Sequence, residues 1–354
     1  MVSVLIVTWN SVQYLEQCFA SIEQQRFGDL EVIVVDNAST DGTQEQLRSR
    51  ESKWRVIYND KNMGFADGQN QAIRAAKGEW LLCLNPDVVL AEDFVGRLVE
   101  AGSSHPEAGS ICGKLLRWDP VNEPHRTRTI DSTGIYFTRN MRHLDRGAEE
   151  TDRGQYDRAQ YVFGATGAAA MFRRSFVEAM SVDGEFFDED FFAYREDADL
   201  AWRAQVMGGK CLYSPAAVAW HVRRVTPERR EQLPLLINWH SLKNRFLMRG
   251  KNASGWLCWK LFWPVAWRDL MTVGYAVLRD RRLLSALVYP WKVRAVVRHK
   301  RAIIQSRRKV SDRELIWWFS NTPRAVFADA FSPAMSVAGP QALAADTPVS
   351  GERP

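Results

Sequence analysis

A lone carboxylate, Asp87, stands in Asn85-Pro86-Asp87-Val88, directly after the apolar run Trp80-Leu81-Leu82-Cys83-Leu84. Two earlier strand-like runs end in comparably polar segments, Thr8-Trp9-Asn10 and Asp36-Asn37-Ala38-Ser39-Thr40-Asp41-Gly42-Thr43. Ligands of open α/β sheets bind outside the carboxyl ends of the strands, so three polar strand ends read as one site, suited to a nucleotide. Mg2+ and Mn2+ take oxygen ligands, often one or two carboxylates together with substrate phosphates, which makes Asp87 the natural metal contact. Asn, Pro and Asp also compose an ordinary β-turn; the strand immediately before them favours the metal.

Asp36 ends its strand as the acidic residue of a dinucleotide fold does, where it accepts from a ribose hydroxyl or a base N–H. It is equally readable as a turn former or helix cap. Asn62-Met63-Gly64-Phe65-Ala66-Asp67-Gly68-Gln69-Asn70 offers glycines for close backbone approach and amides for hydrogen bonds, or simply a turn opening a helix. Farther on, Asp188, Glu189, Asp190, Glu196, Asp197 and Asp199 crowd a segment that also holds Phe191, Phe192 and Trp202. One of these acids can serve as general base toward a hydroxyl, although acids also open helices simply because they suit the dipole. His221 follows an apolar strand as a metal ligand or a half-buried histidine. No G-x-G-x-x-G follows the first strand, which argues against a nicotinamide or flavin enzyme.

The elements that must carry these residues alternate. Strand-like runs at Val2–Val7, Glu31–Val35, Arg55–Tyr58 and Trp80–Leu84 are separated by helical patterns at Val12–Gln25, Thr43–Ser49 and Gly68–Ala76, with another at Glu92–Ala101. Such alternation predicts an α/β fold, a Rossmann-like, mostly parallel sheet flanked by helices. Ser11 is a candidate cap for the first helix, and Asp41 or Thr40 for the second. The polar stretch from Arg117 to Gln160 reads as a long loop or small β excursion. Then follow a strand at Ala168–Phe172, an acidic aromatic loop (183–194), a helix over Glu196–Met207, and short strands at Cys211–Tyr213 and Ala217–Trp220.

At 354 residues and 46% apolar, the chain has ample material for a core. Its five scattered cysteines lack zinc-ligand spacing and fit a reducing cytoplasm. The net charge of +5 conceals an asymmetry: His221 to Ser320 holds about 22 Lys/Arg against about 6 Asp/Glu, with more than half of the 14 tryptophans. None of its apolar stretches reaches the roughly 18 residues of a spanning helix. Residues 1–232 are therefore expected to form the nucleotide-binding and catalytic unit, 233–320 a basic, Trp-rich helical region, and 321–354 a disordered tail.

Taken in order, these motifs resemble family 2 of the glycosyltransferases, with the GT-A nucleotide-sugar fold, and most closely its bacterial rhamnosyltransferase-like members, over residues 2 to 224. The resemblance implies that Thr8 and Asn10 flank the nucleoside, that Asp36 with Asn37 meets the base, and that Gly64, Asp67 and Asn70 line the nucleotide. Asn85-Pro86-Asp87 would occupy the Asp-x-Asp position, with Asn85 replacing the first acid and Asp87 holding Mg2+ or Mn2+, and His221 matches a histidine that completes the metal shell in some relatives. Glu196-Asp197 matches the acidic pair that supplies the base, with Asp197 favoured. The implied reaction is inverting transfer of a sugar, rhamnose on dTDP first and UDP-galactose or another nucleotide sugar as the alternative. The acceptor hydroxyl would sit on a glycan or a polyprenyl-pyrophosphate-linked sugar, in cell-surface polysaccharide synthesis. The Gln-x-x-Arg-Trp motif of processive synthases is absent.

For the basic region, lying on the anionic inner face of the cytoplasmic membrane is expected; a helical subdomain packing its own tryptophans is the bland alternative, and nucleic acid is not expected as a partner. A non-catalytic nucleotide-sugar-binding scaffold is the remaining class. It has no use for a base at Asp197.

Overall fold

The computed structural model describes residues 1–118, 127–223 and 235–331. Its first half alternates as the spacing predicts: β1 (Val2–Thr8), α1 (Val12–Glu23), β2 (Leu30–Asp36), α2 (Thr43–Arg48), β3 (Arg55–Tyr58), α3 (Phe65–Ala75), β4 (Trp80–Leu84), β5 (Val88–Leu90), α4 (Phe94–Ser104) and β6 (Ala108–Arg117). Three short strands follow, β7 (Ile130–Ser132), β8 (Ile135–Phe137) and β9 (His143–Asp145). The sheet resumes with β10 (Gln160–Val162) and β11 (Ala169–Arg173), then α5 (Arg174–Met180), α6 (Glu196–Val206) and β12 (Lys210–His221). The C-terminal region consists of α7 (Leu235–Asn252), α8 (Gly255–Lys260), α9 (Phe262–Leu278), α10 (Leu284–Lys292), α11 (Arg294–Ser306), α12 (Asp312–Leu315) and a last strand, β13 (Val326–Phe327).

The main sheet runs β13-β10-β12-β6-β11-β4-β1-β2-β3, with β5 on β12 and β7 on β6. β1 pairs in parallel with both β2 and β4, and β2 with β3, so the polar ends of β1, β2 and β4 emerge along one edge. Strand order reverses direction on either side of β1, which opens the crevice between the ends of β1 and β4 where α/β sheets take ligands. All seven residues of β1 and all five of β4 are buried. That suits their largely apolar character, broken in β1 only by Ser3 and the terminal Thr8, since a parallel strand covered on both faces has no alternation to show. One face packs against α1 and α4 through Leu15, Phe19, Phe94 and Leu98. The other is covered by α3, α5 and α6 through Ala72, Ile73, Phe176 and Leu200.

Several expectations shift. The third helix begins at Phe65, a turn ahead of Gly68, because Gly64 at φ 89° supplies the sharp entry. Ser11 makes no side-chain cap; Asp41 instead accepts from Val12 N (3.1 Å) and Thr43 N (3.1 Å), serving the starts of both α1 and α2. The two strands expected at 211–220 are one, β12, with a register shift between Ser214 and Val218. In the polar stretch 117–160, β8 and β9 form an antiparallel hairpin and β7 joins β6, while 119–126 lies outside the described residues. Within the stretch expected as a tail from 321, β13 pairs with β10 in the sheet; 332–354 lies outside the described residues, as does the expected boundary at 232/233.

The C-terminal helices share a core with α6: Trp202 and Ala198 meet Leu247, Met248, Leu315 and Phe319. Of the tryptophans there, Trp259, Trp263, Trp267 and Trp291 are instead largely exposed, Trp263 by 80%. They are not that region's core. Among the described residues no helix is long and apolar enough to cross a membrane.

Candidate active site at the strand ends

The loops after β1 and β2 are locked together by side chains. Asp36, wholly buried, accepts from Thr8 Oγ1 (2.8 Å), Ser39 N (3.0 Å), Ser39 Oγ (2.6 Å) and Gln44 Nε2 (2.9 Å). Four donors fill the acceptor sites of a carboxylate, so a ligand reaches Asp36 only by displacing one, and Gln44 is the least buried. Asn10, at φ 49°, donates its backbone N–H to Ser39 Oγ and accepts from Thr40 N (2.9 Å each). Asn37 Nδ2 donates to Gly64 O (3.0 Å), tying the end of β2 to the entry of α3. Between Thr8 and Asn10, Trp9 is 52% exposed at the crevice mouth, a flat aromatic face of the kind on which bases stack. Its signal in the sequence was an aromatic residue amid polar neighbours at a strand end.

Asp67 lies in the first turn of α3, accepting from Gln71 Nε2 (3.1 Å), with Arg74 at 3.9 Å. Asn70 is taken up structurally: it donates to Phe187 O (2.7 Å) and Glu189 Oε1 (3.0 Å) and accepts from Phe187 N (3.0 Å). Those bonds hold the acidic loop onto α3 and occupy both hydrogens of the Asn70 amide.

The corner after β4 differs, because its oxygens are buried and lack donors. Asn85 Oδ1 and Asp87 Oδ1 have no hydrogen-bond partner. His221 at the end of β12 sits with Nε2 3.5 Å from Asp87 Oδ1 and Nδ1 2.8 Å from Asp131 Oδ2. At 3.5 Å the first contact is a charge interaction rather than a good hydrogen bond. Burial disfavours a proton on His221, but Asp131 and then Asp87 outweigh it and push the imidazole up to about 10. Asp131 on β7 in turn meets Arg223 (3.0 Å) and Arg117 (3.7 Å). It was not foreseen, because nothing in the polar stretch 117–160 marks one acid as destined for the end of β12.

This corner fits a divalent ion. Asp87 Oδ1 faces His221, whose other nitrogen is fixed by a carboxylate, the usual outer-sphere support of a metal-binding histidine, and Asn85 adds a second buried oxygen without a donor; an ion bound there would replace the proton that Asp131 and Asp87 hold on His221. Among the described residues no group of three or more His, Cys, Asp or Glu forms a complete cage. Mg2+ or Mn2+ commonly takes one or two protein carboxylates and fills its shell with phosphates and water.

Of the crowded acids, Asp188 and Asp199 are neutralised. Lys251 of α7 bonds both, the Asp199 contact being 2.9 Å, and Lys300 of α11 bonds Asp188 (2.8 Å), Glu185 (2.9 Å) and Asp190 (3.1 Å). The pair that remains is Glu196 and Asp197. Asp197 Oδ2 accepts from Gly167 N (2.9 Å), and the next residue, Ala168, accepts through its carbonyl from Asn85 N (2.9 Å). One short run of backbone thus connects Asp197 to the corner that holds Asn85 and Asp87. Burial raises the Asp197 carboxyl above its ordinary value; the Gly167 N–H opposes this and Asp145 adds to it. Glu196, with Oε2 buried and unpartnered, is pushed up to about 8, by burial first and by Asp197 second.

The model of the family described as "Glycosyl transferase family 2" matches residues 3–180. The N-acetylglucosaminyl-diphospho-decaprenol L-rhamnosyltransferase of Mycobacterium tuberculosis is 28% identical over 311 residues, covering 80% of this chain and 97% of that one. Among solved structures, the S. aureus protein TarS superposes with a TM-score of 0.52 at 15% identity, over 89% of each chain. The mannosyltransferase PcManGT of Pyrobaculum calidifontis, solved with GDP-Man and Mn2+, does so at 0.50 and 19%, over 86% of this chain and 85% of its own. These likenesses show a GT-A-like fold, and a family model that spans half the chain, from β1 with its strand-end corner to the end of α5, places the protein in glycosyl transferase family 2.

Proposed function

We infer that the protein transfers L-rhamnose from dTDP-rhamnose, with inversion, to a hydroxyl of a sugar carried on a polyprenyl diphosphate. The observation that carries this reading is the Asp197 carboxylate fixed by Gly167 N one residue from the backbone that bonds Asn85. Thr8, Trp9, Asn10 and the Gly64 entry would hold the nucleoside end of the donor. Asp87, Asn85 and His221 would hold Mg2+ or Mn2+ with the diphosphate, and the ion supplies charge neutralisation for the leaving group.

Asp197 accepts the acceptor hydroxyl proton at Oδ1 or Oδ2 as the oxygen attacks the anomeric carbon from the face opposite the diphosphate. Its raised pKa makes it a stronger base than an exposed aspartate. Glu196, protonated beside it, keeps a second negative charge out of the same pocket. The likeness to a rhamnosyltransferase over nearly that enzyme's whole length supports the choice of sugar and of a lipid-linked acceptor. The exposed Trp259, Trp263, Trp267 and Trp291, in a region rich in Lys/Arg, support docking on an anionic membrane surface, where such an acceptor resides.

Asp197→Asn is the test. The variant should bind dTDP-rhamnose with Mn2+ as the native protein does, measured by calorimetry, and transfer no sugar. Native turnover in Asp197→Asn would remove the base assignment and the mechanism with it.

A further inference from the structure

The loop that leads into the acidic pair is held in a conformation that its residues disfavour. Phe192, Tyr194 and Arg195 have φ of 65°, 69° and 73°, and none is glycine. Side-chain-bearing residues persist there only where their surroundings over-determine them. Part of those surroundings is one face of α7, beside His143 of β9, which meets Arg195 Nη1 (3.1 Å). Asn244, wholly buried, donates through Nδ2 to the carbonyls of Phe191 (2.9 Å), Ala193 (2.9 Å) and Tyr194 (2.7 Å). One turn earlier, Ser241 accepts from Arg195 Nε at its carbonyl (2.7 Å) and from Nη2 at its hydroxyl (3.1 Å). His240 stacks on Phe192, ring centroids 4.7 Å apart and 17° from parallel.

The gripped loop touches both halves of the site. On one side Phe192 O accepts from Ala66 N (3.1 Å), and a Cβ on Gly64 would come within 2.6 Å of that same oxygen. On the other side Arg195 is the residue from which α6 starts, placing Glu196 and Asp197 in its first turn. Asn244 is also poorly provided for in purely structural terms: its Oδ1 is buried and finds no donor among the described residues. A buried amide with one end unsatisfied is a weak choice for stability alone.

We propose that Asn244, assisted by Ser241, is a positioning residue for the transfer reaction: it clamps the left-handed loop 191–195 so that Asp197 stands at the acceptor side and Phe192 O closes over the Gly64 entry. The C-terminal helical region is then part of the catalytic machinery as well as a surface-docking appendage. This rests on the assignment of Asp197 as the base.

The full chain is assayed as native, Asn244→Ala, Ser241→Ala and Asp197→Asn, with dTDP-rhamnose, Mn2+ and N-acetylglucosaminyl-diphospho-decaprenol, alongside hydrogen exchange of the peptide spanning 191–197. A base displaced by about an ångström costs on the order of 100-fold in rate. Asn244→Ala should therefore lower kcat by about that factor with acceptor KM and donor Kd within about threefold, move the acid limb of the kcat–pH profile, and speed exchange at 191–197 but not at 43–48. Ser241→Ala, which removes only the hydroxyl acceptor, should lower kcat severalfold in the same sense without changing the unfolding midpoint.

If Asn244→Ala fails to fold, Ser241→Ala decides: native kcat and native exchange there overturn the proposal. An Asn244→Ala protein with native kcat while Asp197→Asn is inactive overturns the clamp alone. Turnover in Asp197→Asn, or none in the native protein, indicts the functional reading instead, and the clamp then fails only if exchange at 191–197 is unchanged.

Discussion

Glu196→Gln separates the two carboxyls of the acidic pair through stability rather than activity. In the folded protein Glu196 holds its proton up to about 8, against an ordinary value of 4.5, because it is buried and stands beside Asp197. The sign follows from linkage: between those two values the folded chain keeps a proton that the unfolded chain has released, so stability falls as pH rises through that interval. At about 1.4 kcal/mol for each pH unit of separation, the full effect is on the order of 3–5 kcal/mol by the top of the interval. Glutamine is neutral throughout and removes this slope. Its amide brings donors into a place where Oε2 already lacks a partner, so the variant should be less stable by about 1 kcal/mol at acid pH. The two stability curves therefore cross. Urea unfolding from about pH 5 to pH 8 in EDTA measures this: the raised Asp197 and His221 contribute to both curves, and the native curve descends more steeply than the variant's. Because Asp197 is the member that ionises, Glu196→Gln should also retain transfer activity. Parallel curves would refute the assignment of the proton to Glu196, and a dead Glu196→Gln enzyme with a live Asp197→Asn would exchange the two roles.

Asp131→Asn should weaken Mn2+ binding about 10- to 100-fold, since it loosens the carboxylate that orients His221; titration of the protein with Mn2+ and dTDP reads this without turnover, and native affinity would place Asp131 outside the metal's support. Lys251→Met should cost about 3 kcal/mol in urea unfolding, the lower end for a broken buried ion pair, because Asp188 keeps Lys300 and Asp199 keeps Asn252 (2.7 Å). A stability equal to native would mean that the network contributes nothing net. Trp259→Ala/Trp263→Ala/Trp267→Ala should reduce flotation with phosphatidylglycerol vesicles at least tenfold while leaving transfer to a water-soluble acceptor unchanged, and native flotation would return these side chains to an undefined role.

What the sequence disclosed and what it withheld divide along a physical line. β1, β2 and β4 were legible because a parallel strand buried on both faces must be an apolar run, and a ligand site at its end must break that run with polar residues; Thr8, Asp36 and Asp87 stand at those breaks. Asp131 was invisible because its importance depends on β7 meeting the end of β12, some ninety residues away in the chain, and a lone acid in a polar stretch carries no trace of such a meeting. The acidic segment 183–199 misled in a related way. Composition showed six carboxylates but not the two lysines, Lys251 and Lys300, that arrive from distant helices and remove Asp188 and Asp199 from contention. Asn70 and Asp36 show a further limit. Their residue types suit nucleotide contact, yet their hydrogen-bonding capacity is consumed internally, Asn70 by Phe187 and Glu189 and Asp36 by Thr8, Ser39 and Gln44. Residue type tells what an atom is able to bind, whereas only the fold tells which atoms are still without a hydrogen-bond donor; in the corner after β4 those atoms are Asn85 Oδ1 and Asp87 Oδ1, and the metal reading rests on them together with His221.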